Sequence, residues 1–423
     1  MAPRSDRDDQ NDAASSPPLT DEKPTTAKRQ QLTTSTETDQ QTLTSPSSPP
    51  SSSIPRMPPV NSLHAPPVPT LPFELIIEIL RWIPVKFIMQ LRCVCKSWKS
   101  LISDPEFAKK HLRESPTVTN LVLSFVAKRS REFSLQACPL PSVFDDVTVN
   151  ATQLRYPLET RRRFDLIVAS CDGVICFATD QSYALLWNPS IGKFKKLPSL
   201  ENQRREGSYT IYGFGYDRFT DSYKVVAIFC YECDSGGAFY ETQVKVLTLG
   251  TDAWRRIQEF PPGVPFDESG KFVSGTINWL ASTNSSSLWV IVSLDLGKET
   301  YQELLQPDYG GVAVVTLTLG VLRDCLCILS HCDTFSDVWL MKEYGNKDSW
   351  NKLFSVPYMG NPDFFPYTKA LWISNDDKVL LEFQSKLVVY DSRNGTFKFP
   401  EIQNVNGWMI PEVYVESLIS PCS

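Results

Sequence analysis

The stretch Leu71–Ile102, LPFELIIEILRWIPVKFIMQLRCVCKSWKSLI, is dense in large apolar residues yet only about three short helices long. Segments below about 40 residues rarely make a self-sufficient core, so part of this apolar surface must be covered by something else. Leu75, Ile79 and Ile83 lie four apart, with Ile76 and Leu80 beside them on one helical face. Pro72 suits a first helical turn, Glu74 suits the positive end of the helix dipole, and Pro84 stops the helix. A second periodic set runs through Phe87, Leu91, Val94, Cys95, Trp98, Leu101 and Ile102. Asp104-Pro105 marks a further helix start, with Phe107 and Leu112 as its anchors.

Outward from this stretch the character of the chain changes on both sides. Residues 1–69 are rich in Ser, Thr, Pro, Gln and Asp and poor in aliphatic and aromatic side chains. Such a segment buries too little apolar area to offset the entropy of ordering, which predicts a disordered tail. Its Ser16-Pro17, Ser45-Pro46 and Ser48-Pro49 steps suit proline-directed phosphorylation, though a plain solvated tail is the simpler reading. From about residue 118 onward, short β-like runs (LVLSF, DLIVAS, VICF, KVVAIF, VKVLTL, LCILS, KLVVYD) alternate with turn residues. The change of period puts a boundary near Ser115-Pro116 and divides the chain into 1–69, 70–115 and 116–423.

Five stretches of the β-rich part align: LLWNPSIGKFKKLP, KVLTLGTDAWRRI, VSLDLGKETYQELL, WLMKEYGNKDSWNKLF and LVVYDSRNGTFKFP. Each is an apolar run, a polar turn and then an aromatic residue: Phe194, Trp254, Tyr301, Trp350 or Phe397. Their spacings, roughly 60, 47, 49 and 47 residues, suit one four-stranded propeller blade per repeat. The aromatic residue is expected to pack between neighbouring blades, and the length accommodates about six. The run EVYVESLIS, near Val413 to Ser420, is placed to pair with LVLSF near Leu121, which closes the ring and leaves no free edge. The fold class expected is therefore α+β multidomain: a disordered tail, a small all-α unit and an all-β propeller-like domain.

Composition excludes several functions. A formal net charge of -6 and a pI near 5.4 lack the basic footprint of a general nucleic-acid binder. No run of about 18 apolar residues free of charges suggests a membrane span, and the opening MAPRSDRDDQ lacks the apolar core of a secretory signal. The 11 scattered cysteines suggest reduced thiols in the cytosol or nucleus. Three histidines, His64, His111 and His331, are too few for a His-rich metal cluster. Cys230 and Cys233 have CxxC spacing and Cys325, Cys327 and Cys332 form a second group, but a structural zinc needs about four converging ligands. Cys325 and Cys327 read instead as small buried residues sharing a strand face. Asp172-Gly173 and Asp376-Asp377 suit tight turns, Asp145-Asp146 is a second acidic pair, and YGFGYD lacks the Lys-Ser/Thr of a phosphate loop. Arg161, Arg162 and Arg163 suit an acidic partner or a localisation signal, though a solvated loop is the simpler reading. No catalytic set, metal or other cofactor is expected.

The helical stretch, continued as SDPEFAKKHL, resembles the F-box, a motif of about 45 residues. Its leading Leu-Pro, aliphatic helix, following Pro, Arg-Cys-Val-Cys-Lys-Ser-Trp run and closing Asp-Pro-x-Phe agree in order. The β-rich part is similar to the F-box-associated domains of plant proteins, propeller-like and sometimes labelled kelch-type. SCDGVICF, LLWNPSIGKFKKLP, YGFGYDRFTDSYKVVAIF, KVLTLGTDAWRRI and GKFVSGTINWLA carry that resemblance. Family members often have an amide at Asp172 and an aliphatic residue at Phe177; both changes keep a turn and a strand.

The resemblance implies that the helices give their surplus apolar surface to a Skp-family adaptor and, through it, to the cullin and RING protein of an SCF-type ubiquitin ligase. Leu71 and Pro72 match the adaptor-contacting pair, and Leu75, Ile79, Leu91, Val94 and Trp98 match apolar contact or support positions. Trp98 is the candidate hot spot, with a prop for the helices as its alternative role. The propeller is expected to bind a target protein, with 199–208, 231–241, 263–269 and 357–367 as candidate loops. Tyr358–Tyr367, YMGNPDFFPY, reads either as a recognition loop or as an inter-blade packing loop. The expected protein is a non-enzymatic substrate receptor, cytoplasmic and/or nuclear. The rivals are a scaffold that binds its adaptor without entering a ligase, and a propeller enzyme or carbohydrate-binding protein with a helical extension.

Overall fold

The computed structural model describes residues 71–126, 133–158, 166–179, 181–201, 207–232, 240–261, 263–265, 269–282, 289–359, 367–384, 386–405 and 409–422. The disorder expected for 1–69, the Arg161–Arg163 run, Cys233 and most of YMGNPDFFPY lie outside them.

Four helices open the described chain: Phe73–Arg81 (α1), Val85–Leu91 (α2), Lys96–Ile102 (α3) and Pro105–Glu114 (α4). Pro72 stands just before the first turn of α1, where its carbonyl accepts the Leu75 and Ile76 N–H groups. The second periodic set does not form one helix. It breaks between α2 and α3, where Cys95 is fully extended, because side-chain spacing alone does not reveal a re-phasing of the backbone. Asp104 caps α4: its side chain accepts the Phe107 N–H at 2.9 Å, and Pro105 fills the first helical position. Asp104→Ala is expected to cost about 1 kcal/mol, read as a lower urea midpoint.

The β-rich part forms six blades. The first unites Thr119–Val126, Phe133–Pro139 and Thr152–Gln153 with the C-terminal strand Met409–Val415. Leu121 pairs with Val413 as the sequence suggests, so both chain ends share one blade. The innermost strands of the remaining blades are Leu166–Cys171, Tyr209–Asp217, Lys271–Val273, Thr316–Leu322 and Tyr367–Ile373. With Met409–Val415 they form a closed ring, each next to its successor.

Strand sequences read as near-continuous apolar runs because both faces of every blade are covered. Ala184–Asn188, ALLWN, is buried throughout. Apolar clusters join neighbouring blades; Ile211, Val226 and Val244 of the third, for example, meet Ile277, Trp279 and Val292 of the fourth. The repeat aromatics lie at the outer strand of their blades, and three reach back to the preceding one. Trp254 Nε1 donates to the Pro198 carbonyl at 2.8 Å, Tyr301 to Gln258 at 3.4 Å and Trp350 to Leu305 at 2.9 Å. Phe397 packs on Tyr390 and on the apolar cluster that joins the fifth and sixth blades. Phe194 is 40% exposed.

Residues Pro69–Ser423 form one unit, and the helices share a core with the propeller. Leu80, Val85, Ile88, Ile102, Phe107 and Ala108 belong to the cluster that joins the second and third blades. Leu418 and Ile419, just past the closing strand, are in it too. Asn188 holds that segment, donating to the Ser417 and Ile419 carbonyls at 3.1 and 2.8 Å. Gly173, at φ 81°, lets it pass: a Cβ there would collide with Ser417 and the Val415 carbonyl. Part of the surplus apolar surface of Leu71–Ile102 is thus covered from within the chain.

Candidate functional site: an exposed apolar helix face

The rest of that surface faces solvent. Leu75, Ile79 and Trp82 follow one side of α1 at helical spacing and are 50%, 52% and 62% exposed. Leu71, Pro72 and Phe73 at its start, Phe87 on α2 and Val94 before α3 extend the exposed set. The opposite side of α1 buries Leu80 and partly buries Ile76 and Ile77 against the shared core. The single apolar face expected from Leu75, Ile76, Ile79, Leu80 and Ile83 is therefore two faces with two fates. Leu91 and Trp98 are half-buried against the shared core. Phe73, Trp82 and Phe87 were not among the site residues expected from sequence; the i, i+4, i+7 spacing of Leu75, Ile79 and Trp82 was the available signal for the second of them.

The helices are held by their own contacts. Arg81 on α1 pairs with Glu78 at 2.7 Å and with Glu114 on α4 at 3.6 Å. The buried His111 Nε2–H donates to the Ile83 carbonyl at 2.7 Å, and burial holds its pKa below the usual histidine value. Lys86, Lys96 and Lys99 are exposed around the α2–α3 side. The exposed Cys95 thiol has a lowered pKa because the Ser97 hydroxyl, 3.1 Å away, and the Trp98 N–H favour its charged form. A set of large exposed apolar side chains this dense marks an interaction surface.

Among the described residues, no group of three or more His, Cys, Asp or Glu is placed to hold a metal. Cys327 and Cys332 are buried and Cys325 half-buried. Asp172 at φ 50° and Gly173 make the expected turn, as do Asp376 and Asp377. The central channel, about 320 Å³, is lined by three cations and three carboxylates, including Lys369 paired with Glu412, and by no histidine. That pair ties the sixth blade to the closing strand.

A Ser–His contact does occur, with His331 Nδ1 2.8 Å from Ser336 Oγ, but both side chains are buried. Burial lowers the His331 pKa from 6.5 to about 4. A histidine whose folded pKa lies below its unfolded value stabilises the fold fully above about pH 6.5, and that stability is lost as the pH falls toward 4. The shift corresponds to about 3 kcal/mol. Urea titrations between about pH 7 and about pH 4.5 should show the decline, with a shallower slope in His331→Asn.

Comparison with known proteins defines the class. A model of the F-box domain matches residues 69–110, and a model of the F-box associated beta propeller domain matches residues 129–421. The chain belongs to the F-box associated β-propeller family. F-box/kelch-repeat protein At3g23880 of Arabidopsis thaliana is 36% identical over 360 residues, 83% of this chain and 96% of the relative. F-box protein CPR1 of the same plant is 27% identical over 378 residues, 84% of this chain and 89% of the relative. Among solved structures, one from a nidogen/laminin complex covers 70% of this chain and 98% of its own, at 8% identity and a TM-score of 0.41. F-box proteins with a propeller are in general non-catalytic substrate adaptors, and the F-box in general binds a Skp-type adaptor.

Proposed function

We propose that this chain is the substrate-receptor subunit of an SCF-type ubiquitin ligase. The observation that carries the reading is the apolar face of Leu75, Ile79 and Trp82, left open although the same helices have a propeller to pack against. Leu71, Pro72, Leu75, Ile79 and Val94 contact the Skp-family adaptor, while Leu91 and Trp98 hold the helices that present them. The adaptor brings the cullin and RING protein, and the propeller brings a target protein. The mechanism is positioning: target lysines are held at high local concentration near the charged ubiquitin-conjugating enzyme, and no residue here does covalent chemistry. The described cysteines are all free, in keeping with a cytoplasmic and/or nuclear protein.

Topology favours one face for the target. Lys109 of α4 pairs with Asp221, which lies in the turn leaving the innermost strand of the third blade. The helices therefore sit where innermost strands end. Connections between blades, and those from second to third strands, open on the opposite face. The four candidate loops begin and end at strand termini there; their central residues lie outside the described ones. On that face the connection from the fourth to the fifth blade exposes Leu305, Val312 and Val315.

The test is reconstitution with a Skp-family adaptor, cullin and RING protein. Stoichiometric co-elution with the adaptor and ubiquitin transfer to a propeller-bound protein are expected. Failure of the folded chain to bind any Skp-family adaptor sinks the reading. Adaptor binding without transfer favours the scaffold.

A further inference from the structure

Helix α4 does not lie flush on the propeller. Two cavities flank the ion pair between Lys109 and Asp221 and share both residues with Tyr223 and Ile419. One, about 320 Å³, is walled by the apolar Met89, Ile102, Leu249 and Leu418 together with the charged Arg92 and Lys193. The other, about 590 Å³, is polar in its charged groups, Arg113 of α4, Arg218 of the third blade and Asp172, and apolar at Leu112 and Ile419. Both volumes fall within the roughly 300–1,000 Å³ of small-molecule sites.

The charges of the polar cavity do not cancel. Asp221 accepts from Lys109 and from the Tyr216 hydroxyl, and Asp172 accepts from the Tyr223 hydroxyl at 2.9 Å. Arg113 and Arg218 have neither a hydrogen bond nor an ion pair among the described residues. Three cations thus face two carboxylates. Burial raises the pKa of Asp172 against the opposing Tyr223 hydrogen bond and the pull of Arg218 and Arg113. Two exposed guanidiniums lining one cavity beside apolar walls are suited to a ligand with an oxyanion head and a hydrocarbon body.

We infer that this junction is a binding site for a small amphipathic organic anion, its head between Arg113 and Arg218 and its body against the apolar walls beside Leu249 and Ile419. The site is separate from the exposed face of α1. Because Arg113 belongs to the helical unit and Arg218 to the propeller, an occupant bridges the two and strengthens their union.

The test uses the full chain and 1-anilinonaphthalene-8-sulfonate, whose aromatic body and sulfonate have the required shape, followed by fluorescence. Saturation at one equivalent is expected. Arg113→Gln with Arg218→Gln, both exposed positions, weakens binding by about tenfold or more, and Ile191→Trp, on the wall of the smaller cavity, also weakens it. Decanoate displaces the probe, whereas decylammonium of equal length does not. Binding that survives the arginine pair places the probe elsewhere, on the exposed helix face for example, and overturns the site. No saturable binding, or equal displacement by decylammonium, overturns it as well.

Discussion

Leu75→Asp combined with Ile79→Asp is expected to abolish co-purification with a Skp-family adaptor and leave the propeller folded. Both side chains are half exposed, so in the free chain the new carboxylates remain in water. The folded state loses about 1 kcal/mol through lower helix propensity and roughly 1 kcal/mol more at each side chain for its buried half. In an apolar interface the same carboxylates lose their hydration without gaining partners, a penalty of several kcal/mol each. Every 1.4 kcal/mol is about tenfold in affinity, so two such penalties exceed a hundredfold loss. Leu80→Asp is the contrast. One residue further along α1 and 1% exposed, it sits in the core shared with the propeller and should lower the urea midpoint directly. Retained adaptor binding by the folded double variant would show that this face of α1 is not the contact.

Lys224→Met is expected to destabilise the propeller by about 3–5 kcal/mol, the range for removing one partner from a buried ion pair. The Lys224 side chain is 4% exposed, and its ammonium lies 3.0 Å from Asp217 and 3.2 Å from Glu299, with the Leu296 carbonyl at 2.6 Å. It therefore joins the third blade to the fourth. Glu299 keeps Arg255 at 2.5 Å in the variant. Among the described residues, Asp217, 1% exposed, keeps only the Thr220 hydroxyl and the Phe219 N–H.

The pH dependence separates lost charge pairing from lost packing. Burial raises the Asp217 pKa, but Thr220, Lys224 and Phe219 together outweigh it and leave the carboxyl below its usual 3.8. A depressed carboxyl stabilises the fold above its unfolded pKa, and that contribution is lost as the pH falls through the folded value. The deficit of Lys224→Met should be full near pH 7 and shrink below about pH 4. A deficit that stays constant with pH would assign the effect to packing of the lysine stem.

Both predictions rest on features that differed in how legible they were. The six-blade plan was readable because its signals are local. Each blade repeats an apolar run, a turn and an aromatic residue, and the complementary terminal runs pair at Leu121 and Val413. The helical motif was readable for the same reason, through its proline positions, the Asp104 cap and its ordered apolar residues. Four of the five repeat aromatics have the inter-blade role that their spacing implies, and Phe194 is the most exposed of the five.

The fate of each side of α1 was not readable. Leu75, Ile76, Ile79 and Leu80 are all large and aliphatic, so periodicity marks one wide apolar arc facing away from Glu74, Glu78 and Arg81 without saying which part of it meets which neighbour. The propeller takes Leu80 and leaves Leu75 and Ile79. Lys224 and its partners were equally hidden, because Asp217, Lys224 and Glu299 come together only when two blades pack. The junction of Arg113, Asp172 and Arg218 unites three segments far apart in the chain. Sequence determined the elements and their order through short-range spacing and apolar pattern; tertiary packing decided which surfaces were covered, which charges met and which helix face stayed open, since each depends on neighbours that local spacing does not encode.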